Sequence, residues 1–349
     1  MSILKKPLPT PSQGRESHKP LFKKYLPRVF CQSIHLLYLG YSSTPKQLTN
    51  IPIHFNKTRI APTPSGFLHV GNGLSFSITA ALARKHGAKI LLRIDDLDRA
   101  RVNPEYLTDI FDTLNFLGIP WDEGPQDAND FEANFSQVHR MHLYNEALEQ
   151  LAAGGFVFAC TCSRRQLNEA GLCNCFDKQI PLSTPEASWR LRTNNNAVLK
   201  VKSYGGETIQ AQLPAEMKNF VVRKKDGFPA YQLTSVVDDL FYGVDLVVRG
   251  DDLWASTLAQ IQLATVLDKP AFNDIVFYHH PLLLEEPGKK LSKSAGSTSV
   301  KYLKEQGGSA ADVFGLISEI LRLHKKASTW QQLVELILSS PTPFINRCL

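Results

Sequence analysis

Two stretches of this 349-residue chain carry residue types and spacings suited to handling a triphosphate. The first is Arg59-Ile-Ala-Pro-Thr-Pro-Ser-Gly-Phe-Leu-His-Val-Gly-Asn72. It reads as a strand running into a helix N-terminus, where free backbone N–H groups and the helix dipole make a seat for phosphate. Gly66 and Gly71 would let backbone approach a ligand, and Pro62 and Pro64 would stiffen the turn. His69 could donate a hydrogen bond to a phosphate oxygen as charge shifts. The second stretch is Lys289-Lys-Leu-Ser-Lys-Ser294, a polar loop whose Lys290 and Lys293 could close over the phosphates and stabilise departing pyrophosphate. Each has a plainer reading, a proline-rich turn and a solvated lysine loop; it is their occurrence together that favours chemistry.

A third group is metal-like. Of six cysteines, Cys160, Cys162, Cys173 and Cys175 form two Cys-x-Cys pairs within sixteen residues, while Cys31 and Cys348 stand apart. With no secretory leader read at the N-terminus, this cluster points to a reducing compartment and metal binding, with free thiols as the alternative. Arg164, Arg165 and Lys178 nearby could touch RNA phosphates or be solvated charge.

The elements that must position these groups follow from periodicity. Thr58–Ala61 reads as a short buried strand, followed by a helix through Arg84 that Gly87 stops. Ala88–Ile94 is a second apolar strand, and a helix from Pro104 to Leu117 has proline in its first turn. Strand, helix, strand, helix with short loops predicts a parallel doubly wound sheet. From Phe135 to Phe220 the pattern changes: a helix to Ala153, a strand Phe156–Cys160, the cysteines, and a hairpin around Gly205-Gly206. This reads as an α+β insertion. Alternating α/β character returns from Tyr231 to Tyr278, and an amphipathic helix is expected from Ala310 to Leu323.

Charge excludes an argument from overall basicity to nucleic acid. The formal +6 is carried by residues 1–56, which hold eight basic residues against Glu16 alone. That extension reads as a dispensable leader, with a targeting presequence or an RNA-gripping arm as the other readings. No apolar run is long enough to span a bilayer, so no membrane partner is expected.

The two motifs resemble the paired signatures of class I aminoacyl-tRNA synthetases, in the variant seen in glutamyl-tRNA synthetases. Three further segments fall in that family's order: Leu92-Arg-Ile-Asp-Asp-Leu-Asp-Arg-Ala-Arg101, then Tyr231-Gln-Leu-Thr-Ser-Val-Val-Asp-Asp239 with Val248-Arg-Gly-Asp-Asp-Leu253, and His279-His-Pro-Leu-Leu-Leu284. The resemblance covers about residues 57–300. It implies a Rossmann-like α/β fold with a doubly wound parallel sheet and a zinc-bearing α+β insertion.

By the same resemblance, Arg59 pairs with the substrate's side-chain carboxylate, for which a planar guanidinium is suited. Ala61 and Thr63 share that substrate-lining strand, Asp95 stands where a glutamate usually receives the α-ammonium, and Tyr231 and Arg249 hold the rest of the amino acid. His69, Gly71, Asn72 and Lys293 would bind ATP, with His69, Lys290 and Lys293 catalytic. Asn72 departs from the final histidine of the signature, and Asp95 is one methylene shorter than the usual residue. Cys160, Cys162, Cys173 and Cys175 would hold one structural Zn²⁺, and Mg²⁺ would arrive with ATP. Asp96 and Asp98 are expected to cap the following turn.

From Ser297 onward 53 residues remain, fewer than the family's anticodon-reading region requires. The resemblance is therefore to the truncated branch, which activates glutamate without tRNA and esterifies it onto queuosine of tRNA(Asp). A truncated ligase charging a tRNA 3′ end, and a tRNA-binding protein with a decayed site, are the rivals. The expected organisation is an extension (1–56), a first catalytic half (57–134), an insertion (135–220), a second half with the lysine loop (221–300) and a short helical end (301–349). A cytoplasmic monomer is expected, or an organellar protein if 1–56 is a transit peptide.

Overall fold

The structure is a computed structural model that describes residues 54–163, 165–167, 173–194, 196–286, 289–290 and 299–339. Most of the basic extension, Arg164 and Lys293 lie outside the described residues. Of Lys289 and Lys290 only the backbone is described.

Strand Lys57–Ile60 (β1) feeds helix Val70–His86 (α1). Gly87 ends that helix at φ 69°, a left-handed conformation that costs a residue without Cβ nothing. Lys89–Leu92 (β2) lies parallel to β1, and Pro104–Leu117 (α2) keeps the expected bounds, with the Asn103 side chain accepting from Glu105 N.

The helix expected from Phe135 begins later. A π turn (Phe131–Phe135) and a 3₁₀ turn (Gln137–Arg140) precede helix Met141–Ala153 (α3). The reason is Asp96: its buried carboxylate accepts from Ser136 Oγ at 2.6 Å and from the Gln137 N–H at 2.9 Å. Those groups are thereby drawn out of a continuous helix. Asp96 thus joins two segments instead of capping its own turn, and Asp98 makes no capping hydrogen bond and pairs with Arg101.

Next come Val157–Cys160 (β3), Ser188–Leu191 (β4), Leu199–Ser203 (β5), Thr208–Ala211 (β6) and Val221–Arg223 (β7). Tyr231–Phe241 (α4), Leu246–Gly250 (β8), Trp254–Val266 (α5) and Val276–His280 (β9) follow. Leu284–Glu286 (β10), Lys289–Lys290 (β11), Val300–Glu305 (α6), Ala310–Ile320 (α7) and Trp330–Ser339 (α8) complete the described elements.

The main sheet has six strands in the order β2-β1-β8-β9-β5-β6. Neighbours are parallel except at the edge, where β6 runs antiparallel to β5, so the sheet is mixed and not purely parallel. The hairpin β5–β6, read from sequence as part of the insertion, extends this sheet because β5 pairs with β9. A separate antiparallel sheet, β3-β4-β7, carries the cysteine region.

Strand β8 shows why the centre of the sheet is recognisable: Leu246, Val247 and Val248 are all buried, as expected where both faces are covered. Helix α1 is buried on nearly every side, between the sheet and helices α7 and α8, with Leu74 and Phe76 sharing a core with Phe314, Ile317 and Leu333. The Trp330 indole N–H donates to the Gly118 carbonyl at 2.9 Å, tying α8 to the end of α2. Each fully buried Leu, Ile or Phe contributes roughly 1.5–3 kcal/mol, so the C-terminal helices are integral to the core holding α1 in place. Among the described residues no helix is long and apolar enough to cross a membrane.

Candidate active site

In an open parallel sheet, ligands bind beyond the carboxyl ends of the strands, where the strand order reverses. Here the chain passes from β1 outward to β2 and returns on the other side with β8, so the reversal lies between β1 and β8. Arg59 on β1 bridges it, its Nη1 donating to the Val248 carbonyl on β8 at 3.3 Å.

Around that point the structure assembles a buried group of charges. Arg59 Nε donates to Asp239 Oδ1 at 3.1 Å, and Arg93 Nη1 donates to the same oxygen at 2.7 Å. Arg93 also forks onto Asp95, Nε to Oδ1 at 2.8 Å and Nη2 to Oδ2 at 3.0 Å. Asp95 is thus engaged by a neighbouring arginine, where the sequence expectation had it waiting for a substrate ammonium. Burial raises its pKa even though Arg93 opposes the rise.

Arg249, at the end of β8, differs from the other arginines. It is 4% exposed, and its Nη1 reaches only neutral oxygens, Gln260 Oε1 at 3.0 Å and Thr257 Oγ1 at 3.3 Å. Its Nε and Nη2 are buried without a hydrogen-bond partner. Desolvation brings its pKa down to about 10, with Arg59 and Arg93 adding repulsion and Tyr231 and Asp239 opposing. The His279 ring stacks on Phe277, lies 2.8 Å from Thr257 Oγ1, and is held neutral by burial and by Arg249, with its pKa lowered to about 3. Buried guanidinium donors without acceptors are costly unless an anion completes them.

Tyr231 opens α4 and is 42% exposed, so its ring is available at the rim. Ala61 and Thr63 are partly exposed in the segment after β1, which ends at Ile60, and are not within the strand as expected.

The first motif forms a capping arrangement. His69 is the N-cap of α1; its Nδ1 accepts from Gly71 N at 3.1 Å while its own N–H donates to Asn72 Oδ1 at 3.0 Å. Accepting at Nδ1 puts the proton of a neutral ring on Nε2, which makes that edge a donor. Asn72, expected to contact ATP, has its side-chain oxygen committed to this cap. Just beyond the lysine motif, Ser299 pairs with His69, and Val300 N donates to the Leu68 carbonyl at 2.8 Å. The two sequence motifs are therefore joined through the segment that follows the second. The Lys290 side chain and Lys293 lie outside the described residues.

A Cβ added at Gly71 would lie 2.9 Å from the His69 ring. Gly71→Ala should displace the imidazole and lower the turnover of nucleotide activation by about ten- to a hundredfold. The melting temperature should stay close to wild type, because alanine favours helix over glycine by about 1 kcal/mol. Steady-state kinetics beside thermal unfolding would check both.

By resemblance the segment ending in Asp238-Asp239 was expected to belong to the amino-acid pocket, but neither aspartate was given a role of its own, and none was given to Arg93, Gln137 or Arg140. Asp238 accepts from Arg140 (Nε at 3.0 Å, Nη2 at 3.2 Å), Tyr144 Oη (2.7 Å) and Gln137 Nε2 (2.9 Å). Burial alone would raise its pKa, but the charges of Arg93 and Arg140 and the donated bonds hold it below the usual carboxylate value. A depressed folded-state pKa stabilises above the unfolded value and is lost as pH falls through the folded one. Asp238→Asn should therefore cost about 3–5 kcal/mol near neutrality. In urea titrations across pH, the gap from wild type should narrow once the medium is acidic enough to protonate Asp238. The legible signal was a charge embedded in apolar sequence, Leu91-Leu92-Arg93-Ile94 and Val236-Val237-Asp238-Asp239, since such charges are buried only when paired.

The four cysteines meet. Sulfur–sulfur distances are 3.3 Å (Cys160–Cys173), 3.4 Å (Cys162–Cys175) and 3.9 Å (Cys162–Cys173), all four lie within 4.8 Å of one another, and none is in a disulfide. A tetrahedron with ~2.3 Å metal–sulfur bonds has edges of about 3.8 Å, so the donor set fits a closed four-thiolate site. For Cys160, burial works against ionisation, but hydrogen bonds from Cys173 and Arg190 bring its pKa down to about 7. The group is a cysteine cluster able to bind metal.

Sheet, strand-end charges and capped α1 together define a catalytic domain of class I synthetases. The chain belongs to the family of class I tRNA synthetases (E and Q), catalytic domain, whose model matches residues 56–335. Among curated relatives, the Glutamyl-Q tRNA(Asp) synthetase of Nitratidesulfovibrio vulgaris is 33% identical over 286 residues, covering 74% of this chain and 84% of that protein. The protein of the same name from Rhodobacter capsulatus is 32% identical, covering 74% of this chain and 99% of its own. Glutamate–tRNA ligase 1 of Alkalilimnicola ehrlichii is 32% identical, but the chain spans only 53% of its length. The glutamate-tRNA synthetase of Elizabethkingia anophelis shares the fold at TM-score 0.63 and 20% identity, over 81% of this chain and 65% of that one.

Proposed function

We infer that this chain activates L-glutamate with ATP and Mg²⁺ to glutamyl-adenylate and pyrophosphate, then transfers the glutamyl group to queuosine in tRNA(Asp). The observation that carries glutamate is the charge count in the buried group beyond the strand ends. Arg59, Arg93, Arg140 and Arg249 face Asp95, Asp238 and Asp239, which leaves one positive charge in excess, and Arg249 has unpartnered donors. Glutamate, with two carboxylates and one ammonium, neutralises that excess; glutamine does not, and would leave a buried guanidinium unmatched.

In this reading the α-carboxylate attacks the α-phosphorus and no side chain acts as nucleophile. Arg59, Arg249 and Tyr231 hold the amino acid, with Ala61 and Thr63 lining its path. Asp95 takes the ammonium on oxygens shared with Arg93. His69 donates from Nε2 to the phosphates, with Gly71 and Asn72 shaping that turn, and Lys290 and Lys293 stabilise pyrophosphate. Positioning and electrostatics carry the rate.

Support for queuosine as acceptor is that the Glutamyl-Q relatives match over 84% and 99% of their own lengths. The four cysteines would hold one structural Zn²⁺, pinning a loop whose described residues form a small apolar cluster. Thiols kept reduced suit the cytoplasm, the proposed location.

The test is glutamate-dependent ATP–pyrophosphate exchange without tRNA, followed by labelled-glutamate transfer to tRNA(Asp) with and without queuosine. Exchange and queuosine-dependent labelling are expected. Labelling of the tRNA(Glu) 3′ end instead would make this a truncated ligase, and no exchange would end the enzyme reading.

A further inference from the structure

We propose that Arg93 and Asp239 are positioning residues that set the amino-acid selectivity of this site, by holding Asp95 and Arg59 at the two ends of one buried ionic chain. The proposal deepens the glutamate reading and rests on it. The chain runs Asp95–Arg93–Asp239–Arg59, with contacts of 2.8 and 3.0 Å, 2.7 Å, and 3.1 Å, and no member is more than 8% exposed. It spans three elements: Arg93 and Asp95 follow β2, Asp239 lies in α4 and Arg59 in β1.

The geometry makes Arg93 the ruler of the pocket. Its fork holds both oxygens of Asp95 while its remaining nitrogen fixes Asp239, so three of its donors point in set directions from one plane. Asp239 Oδ1 takes both Arg93 Nη1 and Arg59 Nε, which holds the Arg59 guanidinium from behind. Its other oxygen is buried with no partner. The separation between the carboxylate that would receive the ammonium and the guanidinium that would receive the side chain is thus set by this rigid chain, not by two independent loops.

Neighbouring Asp238 feels the Arg93 charge but makes its hydrogen bonds elsewhere. It faces Arg140, Tyr144 and Gln137 and ties α3 to α4, with no hydrogen bond to Arg59. Successive helical residues point about 100° apart, so the Asp-Asp pair divides into a site-facing and a scaffold-facing member.

The test compares Asp239→Asn, which keeps shape and removes charge, with Arg93→Lys, which keeps charge and removes the fork, and with Tyr144→Phe as a scaffold control. In pyrophosphate exchange, Asp239→Asn and Arg93→Lys should each raise KM for glutamate about tenfold or more, leave KM for ATP within about twofold, and erode the preference for glutamate over glutamine. Tyr144→Phe should lower the melting temperature and leave KM for glutamate unmoved. Wild-type KM and preference in Asp239→Asn would overturn the proposal. So would a parallel rise in both KM values in Asp239→Asn and Tyr144→Phe, which would mean a structural role only. Wild-type protein that exchanges with no glutamate would overturn the functional reading and this assignment with it.

Discussion

Replacing Arg249 by glutamine should cut kcat/KM for glutamate-dependent pyrophosphate exchange by about a thousandfold, or about 4 kcal/mol, the range expected when a buried charge loses its partner. Arg249 is a buried cation held by neutral Thr257 and Gln260, with two nitrogens unpartnered. Removing it relieves a desolvation cost that Tyr231, Asp239 and the Phe277 ring only partly offset, so the unliganded variant should melt at the same temperature as wild type or higher. A residue that only held the fold together would show the opposite pairing. Adding glutamate should raise the melting temperature of wild type and leave the variant unmoved. A variant that loses stability and activity together would remove Arg249 from substrate binding.

The second large effect concerns the cysteines. Purified protein should contain about one Zn²⁺ per chain by elemental analysis, and strong chelation or Cys175→Ser should lower the melting temperature by about 10 °C or more. The physical reason is local. Among the described residues the buried cluster there is the four cysteines with Phe158 and Ile180, and Phe176 meets Phe158 edge-on beside it, a small core if four thiolates lose their common partner. The loss should begin in β3 and β4, since Cys160 ends β3 and its carbonyl accepts from Ser188 Oγ at 3.1 Å. Metal-free protein that melts like the purified one would return the cluster to plain thiols.

Much of the frame was legible because it depends on local rules. Helix α2 came out at its expected ends, since proline, an Asn N-cap and Gly118 are short-range signals. The six-stranded sheet was half legible: β2, β8 and β9 carry apolar runs and β1 leads into a proline-rich turn, but nothing in the β5–β6 hairpin announces that its partner is β9. Such a pairing depends on strands far apart in sequence, as did the displacement of the helix start by Asp96.

By itself the sequence determined which chemical groups are present and in what order: a histidine before a helix, lysines on a polar loop, arginines at strand ends, and four clustered thiols. Those follow from residue type, periodicity and motif spacing, all of which act over a few residues. Tertiary structure alone decided how the charges pair. It gave Asp95 to Arg93 and Asp239 to Arg59, committed Asn72 to the His69 cap, and left Arg249 with open donors. Pairing depends on which carboxylate lies within about 3 Å once water is excluded, and that is settled only when strands and helices far apart in the chain pack together.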